Sequence, residues 1–302
     1  MNLKQQCLDL WSDYFFNKIY ETCRGNLSHA SMAMLSRNEN ITWNIILTYI
    51  DFVEWDFAYV SMNPNVTWEI IQRYPQYAWN YKIMSINPNI TWEIMEKHPE
   101  YKWDLKYFCN NINLNLDIIQ TMYDSRTTYN WFNITKNRSI PFDVIEAYPE
   151  FPWSRLGMCA NPNVTMDIAE KLKLFDISTI TLSSNPGILA HDIEHTRNLY
   201  NWNLSGILSN PNITWENVLD FTDNIHDFLL NNENTTFELI ERFVPIKNNI
   251  NVTYSLCKNS FALERTNFME AFEEHRKHRH DLFREIAEEV FSPKNITRIG
   301  IE

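Results

Sequence analysis

The residues with the most recognisable chemistry form a histidine-rich run near the end of the sequence. His275, His278 and His280 alternate with the basic residues Arg276 and Arg279. On a helix, a spacing of three residues makes His275 and His278 neighbours, so the run could bind a metal ion, a phosphate or an acidic partner. The competing interpretation is a solvent-exposed helix face balanced by nearby acids, which is what most charge runs are. We favour the exposed face and keep the run only as a candidate protein-binding patch.

A second histidine pair, His191 and His195, has the i, i+4 spacing of a zinc-binding helix. The order here is His-Asp-Ile-Glu-His, so the second acid stands one position later than in the His-Glu-x-x-His motif of metalloproteases. The surrounding sequence indicates no third ligand. We therefore predict neither a metal site nor a cofactor.

Repeated acids could be taken for paired catalytic carboxylates, as at Glu69, Glu93 and Glu216. They occupy one equivalent position just after a predicted helix start, where the helix dipole already favours negative charge. The chain has only five glycines, and it contains no glycine-rich phosphate loop and no Gly-x-Ser-x-Gly elbow. The sequence therefore predicts a protein that is not an enzyme.

Charge and cysteine usage limit the partners and the compartment. A formal net charge of −12 repels phosphate backbones and does not favour nucleic acid as a partner. The five cysteines are scattered without a Cys-x-x-Cys motif, and the first residues lack the apolar run of a signal peptide. No apolar run reaches the roughly 20 residues of a membrane helix. We expect an intracellular protein that is neither secreted nor membrane-spanning.

The elements that must position these residues come from a repeat. The segment Asn63-Pro-Asn-Val-Thr-Trp-Glu-Ile-Ile71 returns almost unchanged from Asn87. Nine related copies follow one another at intervals of 22 to 26 residues, which predicts a repeat array. They begin at Asn38, Asn63, Asn87, Asn111, Asn137, Asn161, Asn185, Asn210 and Asn232.

Each unit carries signals for two short helices. Pro64 disfavours helical backbone at the residue before it and so ends the preceding helix. Thr67 suits an N-cap, so a helix should start at Trp68 and stop before Pro75. The second helix of the unit follows a second tryptophan and starts at another good N-cap residue. These caps are Asp56, Asn80, Asp104, Ser154 and Asn203.

Helices of about two turns are not stable alone, so adjacent units must stack. The prediction is an all-α protein, an α-solenoid of about nine 24-residue helix-turn-helix repeats with atypical helical caps at both ends. Residues 1–37 form the N-terminal helical cap, residues 38–259 the tandem repeats, and residues 260–302 the C-terminal capping helix and tail.

The repeated word Asn-Pro-Asn-Ile/Val-Thr-Trp-Glu-Ile-Ile, followed by Tyr-Pro and then Trp-Asn/Asp, resembles the tryptophan-containing repeat proteins of nucleocytoplasmic giant DNA viruses of the mimivirus and marseillevirus kind. The resemblance covers about residues 38–253 and brings no catalytic residues with it. It implies a location in the host cytoplasm or viral factory, or in the virion.

Two functions follow as hypotheses. The first is a non-enzymatic adaptor or scaffold that binds a viral or host protein, because repeat arrays present extended surfaces. The alternative is a structural component of the virus particle or a viral assembly, with self-association. A partner should contact the positions that vary between copies. These are Arg73, Gln76, Lys82, Lys97, Glu100 and Lys106, besides His275, Arg276, His278 and Arg279 in the basic run.

Overall fold

A computed structural model describes residues 3–23, 27–124, 130–216, 226–244 and 250–278. Within these ranges the chain forms twenty α-helices, one 3₁₀ turn at Leu174–Asp176, and no strand. The prediction of an all-α protein is confirmed for this part of the chain. None of the helices described is both long enough and apolar enough to cross a membrane.

Helices occur in pairs along most of the chain. Helices α1 and α2 come before the first full copy of the repeat, at Leu3–Thr22 and His29–Ser36, and α20 ends the described part at Ala262–His278. The first helices of the units are α3 Trp43–Thr48, α5 Trp68–Arg73, α7 Trp92–Lys97, α9 Leu116–Asp124, α11 Phe142–Ala147, α13 Met166–Lys171, α15 Ala190–Thr196 and α18 Phe237–Phe243. The second helices are α4 Phe57–Val60, α6 Tyr81–Met84, α8 Leu105–Phe108, α10 Trp131–Lys136, α12 Arg155–Ala160, α14 Thr179–Ser183, α16 Leu204–Ser209, α17 His226–Asn231 and α19 Ile250–Lys258.

The predicted helix starts are confirmed in the clearest units. Helix α5 begins at Trp68, and the Thr67 hydroxyl accepts a hydrogen bond from the amide of Ile70 at 3.4 Å. Asn80 caps α6 by accepting from the amide of Ile83 at 3.2 Å. Such caps satisfy amides that have no partner inside the helix, which matters most in helices of four to six residues. The other predicted second-helix caps all accept in the same way, at Asp56, Asp104, Ser154 and Asn203.

Tryptophans join neighbouring units. The ring of Trp68, at the start of one unit, lies 5.9 Å from the ring of Trp103 in the following unit. The pair Trp43 and Trp79 has the same relation at 5.7 Å. Tilted ring contacts at these distances add to the stabilisation that comes from burying the aromatic area. Packing between units therefore supplies the stability that the short helices lack.

The residue common to every unit is its first asparagine, which is buried. The Asn87 side-chain amide donates to the main-chain carbonyls of Ser61, Asn63 and Val66 at 3.0 to 3.1 Å. Asn63 and Val66 lie in the preceding unit, and Ser61 lies at the end of the unit before that. Its side-chain oxygen accepts from the amide of Asn89 at 2.9 Å. The sequence alone points to the proline that follows as the residue that sets the turn. The bonds also form where that proline is absent, so the asparagine is the residue that links the units.

These links form a closed cycle. Each asparagine donates to the main-chain carbonyl of the corresponding asparagine one unit earlier, and the first of them, Asn38, donates to the carbonyl of Asn259 at 3.0 Å. Asn259 donates in turn to the carbonyl of Asn232 at 2.9 Å. The repeat pattern places the last copy at Asn232, and only these bonds show Asn259 to be an equivalent position. The ten members are Asn38, Asn63, Asn87, Asn111, Asn137, Asn161, Asn185, Asn210, Asn232 and Asn259.

Closure brings two segments together along a contact that we call the seam, with residues 3–23 and 27–48 on one side and residues 226–244 and 250–278 on the other. Helix α2 packs on α19, and α1 packs on α20. The Tyr14 hydroxyl donates to the Glu264 carboxylate at 3.1 Å, and Arg265 pairs with Glu39 at 2.9 Å. Aromatic rings fill the space between them, including Phe15 against Phe261 at 6.0 Å. The two segments expected at opposite ends thus lie side by side.

Candidate binding groove

Candidate residues and repeated residues differ sharply in exposure. Val66 is 0% exposed and Ile71 is 2% exposed, because the apolar residues of the repeated segment form the core between units. All six varying positions named in the sequence analysis are exposed to solvent, namely Arg73, Gln76, Lys82, Lys97, Glu100 and Lys106. The invariant part of each unit is therefore used for folding, while the varying part is available for contact.

Two of these positions share one concavity. Lys82, at the start of α6, and Glu100, in the turn after α7, line an open groove of about 620 Å³. The groove lies across three successive units and is also lined by Ala58, Ala78, Trp79, Asn80, Tyr81, Tyr101 and Lys102. Arg73, Gln76, Lys97 and Lys106 are not part of its lining.

Stacked tyrosines line the middle of the groove. The rings of Tyr81 and Tyr101 lie 4.1 Å apart and are nearly parallel, with 15° between their planes. Trp103 meets both rings edge-on, at 5.6 and 5.9 Å. Burial and then the neighbouring Tyr101 raise the pKa of Tyr81 to about 12, so its hydroxyl stays protonated at neutral pH. The groove thus offers rigid aromatic surface with hydroxyl groups that can donate hydrogen bonds.

The same stacking recurs elsewhere, which explains its origin. Phe57 stacks on Tyr77 at 4.5 Å, and Phe175 stacks on Tyr200 at 3.6 Å with 7° between the planes. In each case the aromatic ring of one unit covers a tyrosine of the next. The repeated tryptophans are the most evident packing residues in the sequence, and these tyrosines were not predicted. The Tyr-x-Trp spacing at residues 77–79, 101–103 and 200–202 was the signal that could have found them.

The groove carries both positive and negative charges. Lys82 and Lys102 are exposed and flank the aromatic rings. The pKa of Glu100 is lowered, first by a hydrogen bond from its own backbone and then by His98, whose Nδ1 lies 3.0 Å from its carboxylate. Lys97 is instead paired with Glu93 on its own helix at 2.5 Å. The groove therefore presents two lysines and one ionised carboxylate around apolar rings.

The histidine candidates have a different outcome. His195 contacts the main-chain carbonyl of His191 through Nδ1 at 2.7 Å, and His191 lies 3.2 Å from Asp192. In the described ranges, no three His, Cys, Asp or Glu side chains are grouped so that they could hold a metal ion. For the basic run, the side chains of His275, Arg276 and His278 and the whole of Arg279 lie outside the described residues.

Comparison of the chain with protein-family models, with curated proteins and with solved structures finds no match in any of the three.

Proposed function

We propose that this chain is a non-enzymatic repeat protein, an α-solenoid whose units stack into a closed array, and that it acts as a protein-binding adaptor or scaffold. The single observation that supports it most is the separation of buried repeated residues from exposed varying ones. Protein-binding arrays use the same division, because a constant core tolerates variation on the surface. The resemblance of the repeated segment to repeat proteins of giant DNA viruses supports a viral protein that is located in the host cytoplasm or the viral factory.

The groove around Tyr81 and Tyr101 is the proposed contact surface. Aromatic rings are enriched where protein interfaces gain most of their energy, since they bury large rigid areas at low entropic cost. Lys82 and Lys102 favour a partner segment that carries acidic side chains next to apolar ones. The expected partner is therefore an acidic stretch of a viral or host protein.

The test compares two variants that carry the same change in charge. Lys82→Glu with Lys102→Glu reverses the two groove lysines, whereas Lys171→Glu with Lys173→Glu reverses two exposed lysines of another unit. Affinity purification from infected cells should recover the same protein with the wild type and the control pair, and lose it with the groove pair. Recovery of no reproducible partner by the wild type would contradict the adaptor function.

Mass spectrometry of purified particles addresses the alternative, a structural role in the virion. An adaptor is expected to be scarce or absent in particles. Abundance matching that of the structural proteins would replace the adaptor with a particle component.

A further inference from the structure

The seam holds two cysteines that are far apart in sequence. Cys23 directly follows α1, and Cys257 lies in the last turn of α19. Cys23 is 6% exposed and Cys257 is 0% exposed. Their thiols are hydrogen bonded to each other, and the Thr253 side chain is also hydrogen bonded to Cys23. A disulfide needs its two sulfur atoms side by side, and this contact provides that.

The pair occupies the point where the cycle closes. The main-chain carbonyl of Cys257 accepts the Asn38 side-chain amide at 2.8 Å, so one cysteine belongs to the closing hydrogen bonds themselves. All contacts described across the seam, such as the pair of Lys18 and Glu241 at 3.4 Å, are noncovalent. A covalent bond at this place would fix the terminal segments to each other.

The contact also shifts the pKa values of the two thiols in opposite directions. The hydrogen bond from Cys257 lowers the pKa of Cys23, against the opposing effect of burial. The same contact, together with burial, raises the pKa of Cys257. Burial raises the pKa of Cys109 to about 11 and also raises that of Cys159, and both of these lie in other units. Because the thiolate is the nucleophile, the lowered pKa of Cys23 favours it as the attacking thiol.

We propose that Cys23 and Cys257 form a reversible disulfide across the seam when the protein meets a peroxide, and that this bond locks the array in its closed form. The Cys23 thiolate attacks one oxygen of hydrogen peroxide, the O–O bond breaks, and one water leaves after protonation. The Cys257 sulfur then attacks the sulfenic acid, the S–O bond breaks, and a second water leaves. Two thiols lose two electrons and two protons, and one peroxide becomes two waters. A dithiol reductant reverses the step.

The first measurement uses the wild-type chain. Folded protein is treated with hydrogen peroxide, the excess is removed, and thiols are counted after denaturation. The expected count falls from five to three per chain, and peptide mapping finds Cys23 joined to Cys257. The large covalent loop should also run faster on a non-reducing gel, and a dithiol should restore the original mobility. A map that joins either cysteine to Cys7, Cys109 or Cys159, or that shows both still reduced, would overturn the proposal.

Variants extend the test to stability. Peroxide should move the urea midpoint of the wild type upward, and this shift should vanish in Cys23→Ser and in Cys257→Ser. Cys109→Ser removes a buried cysteine away from the seam and should keep both the gel shift and the midpoint shift. If a seam variant fails to fold, the wild-type peptide map still decides the outcome. Proposed partner binding has no part in any of these readouts, so the failure of one proposal would be distinguishable from the failure of the other.

Discussion

Replacing one buried asparagine of the cycle tests the fold most directly. Asn87 is 0% exposed and its amide lies near three carbonyls, yet it carries only two N–H groups, so the three contacts share two donors. Asn87→Ala removes these donors together with the acceptor used by the amide of Asn89. No water can replace them without opening the contact between units.

The expected cost follows from what stays paired. The carbonyl of Asn63 still accepts from the amide of Val66 at 3.0 Å, and the carbonyl of Val66 still accepts from the Asn89 side chain at 3.1 Å. The carbonyl of Ser61 and the amide of Asn89 lose the partner that Asn87 gave them. A buried polar group without a partner costs about 1–3 kcal/mol. The two groups together predict a loss on the order of 2–6 kcal/mol, a large share of a typical free energy of unfolding.

Urea unfolding followed by tryptophan fluorescence and circular dichroism measures this loss. Asn89→Ala is the matched control, because Asn89 also bonds to the preceding unit but is partly exposed, and water can replace its contacts. The control should lose about 1 kcal/mol or less. Equal losses in the two variants would refute the assignment of Asn87 as the residue that links the units.

Three further predictions concern the seam and the core. Asn38→Ala should destabilise the protein about as much as Asn87→Ala, because the Asn38 side chain donates to two carbonyls across the seam. If its free energy of unfolding in urea equals that of the wild type within error, the cycle is open in solution. Burial raises the pKa of Glu264, so its contribution to stability is complete below its unfolded-state pKa and is lost as pH rises through its folded-state pKa. The difference in free energy of unfolding between the wild type and Glu264→Gln should therefore fall as pH increases. A difference that does not change with pH would contradict this. Gly187→Ala places a Cβ 2.2 Å from the carbonyl oxygen of Val164, and the backbone shift this requires should cost about 1–3 kcal/mol, seen as a lower thermal midpoint.

The sequence predicted the local structure because that structure is coded locally. Thr67 and Asn80 fix helix starts through bonds to amides only three residues away. Pro75 fixes a helix end through its own ring. These interactions need no knowledge of the rest of the chain, and the helix bounds follow from them.

Closure and the groove could not be predicted in the same way. The bond from Asn38 to the carbonyl of Asn259 joins residues at the two ends of the array, and no spacing rule gives the turn between units that makes them meet. The sequence shows that Lys82 and Glu100 vary between copies, but their common groove depends on how Tyr81 stacks on Tyr101 in the next unit. Both features arise from the geometry between units, which a single repeat does not encode.

The closed cycle of asparagines has a consequence for how the repeat number can change. An open array can gain or lose one unit at either end and keep all its other contacts. Here an added or deleted unit would leave Asn38 facing the wrong carbonyls and would break the contact between the terminal segments. Closure therefore favours a constant number of units, and the changes that preserve it are substitutions and insertions that keep each asparagine aligned with its carbonyl.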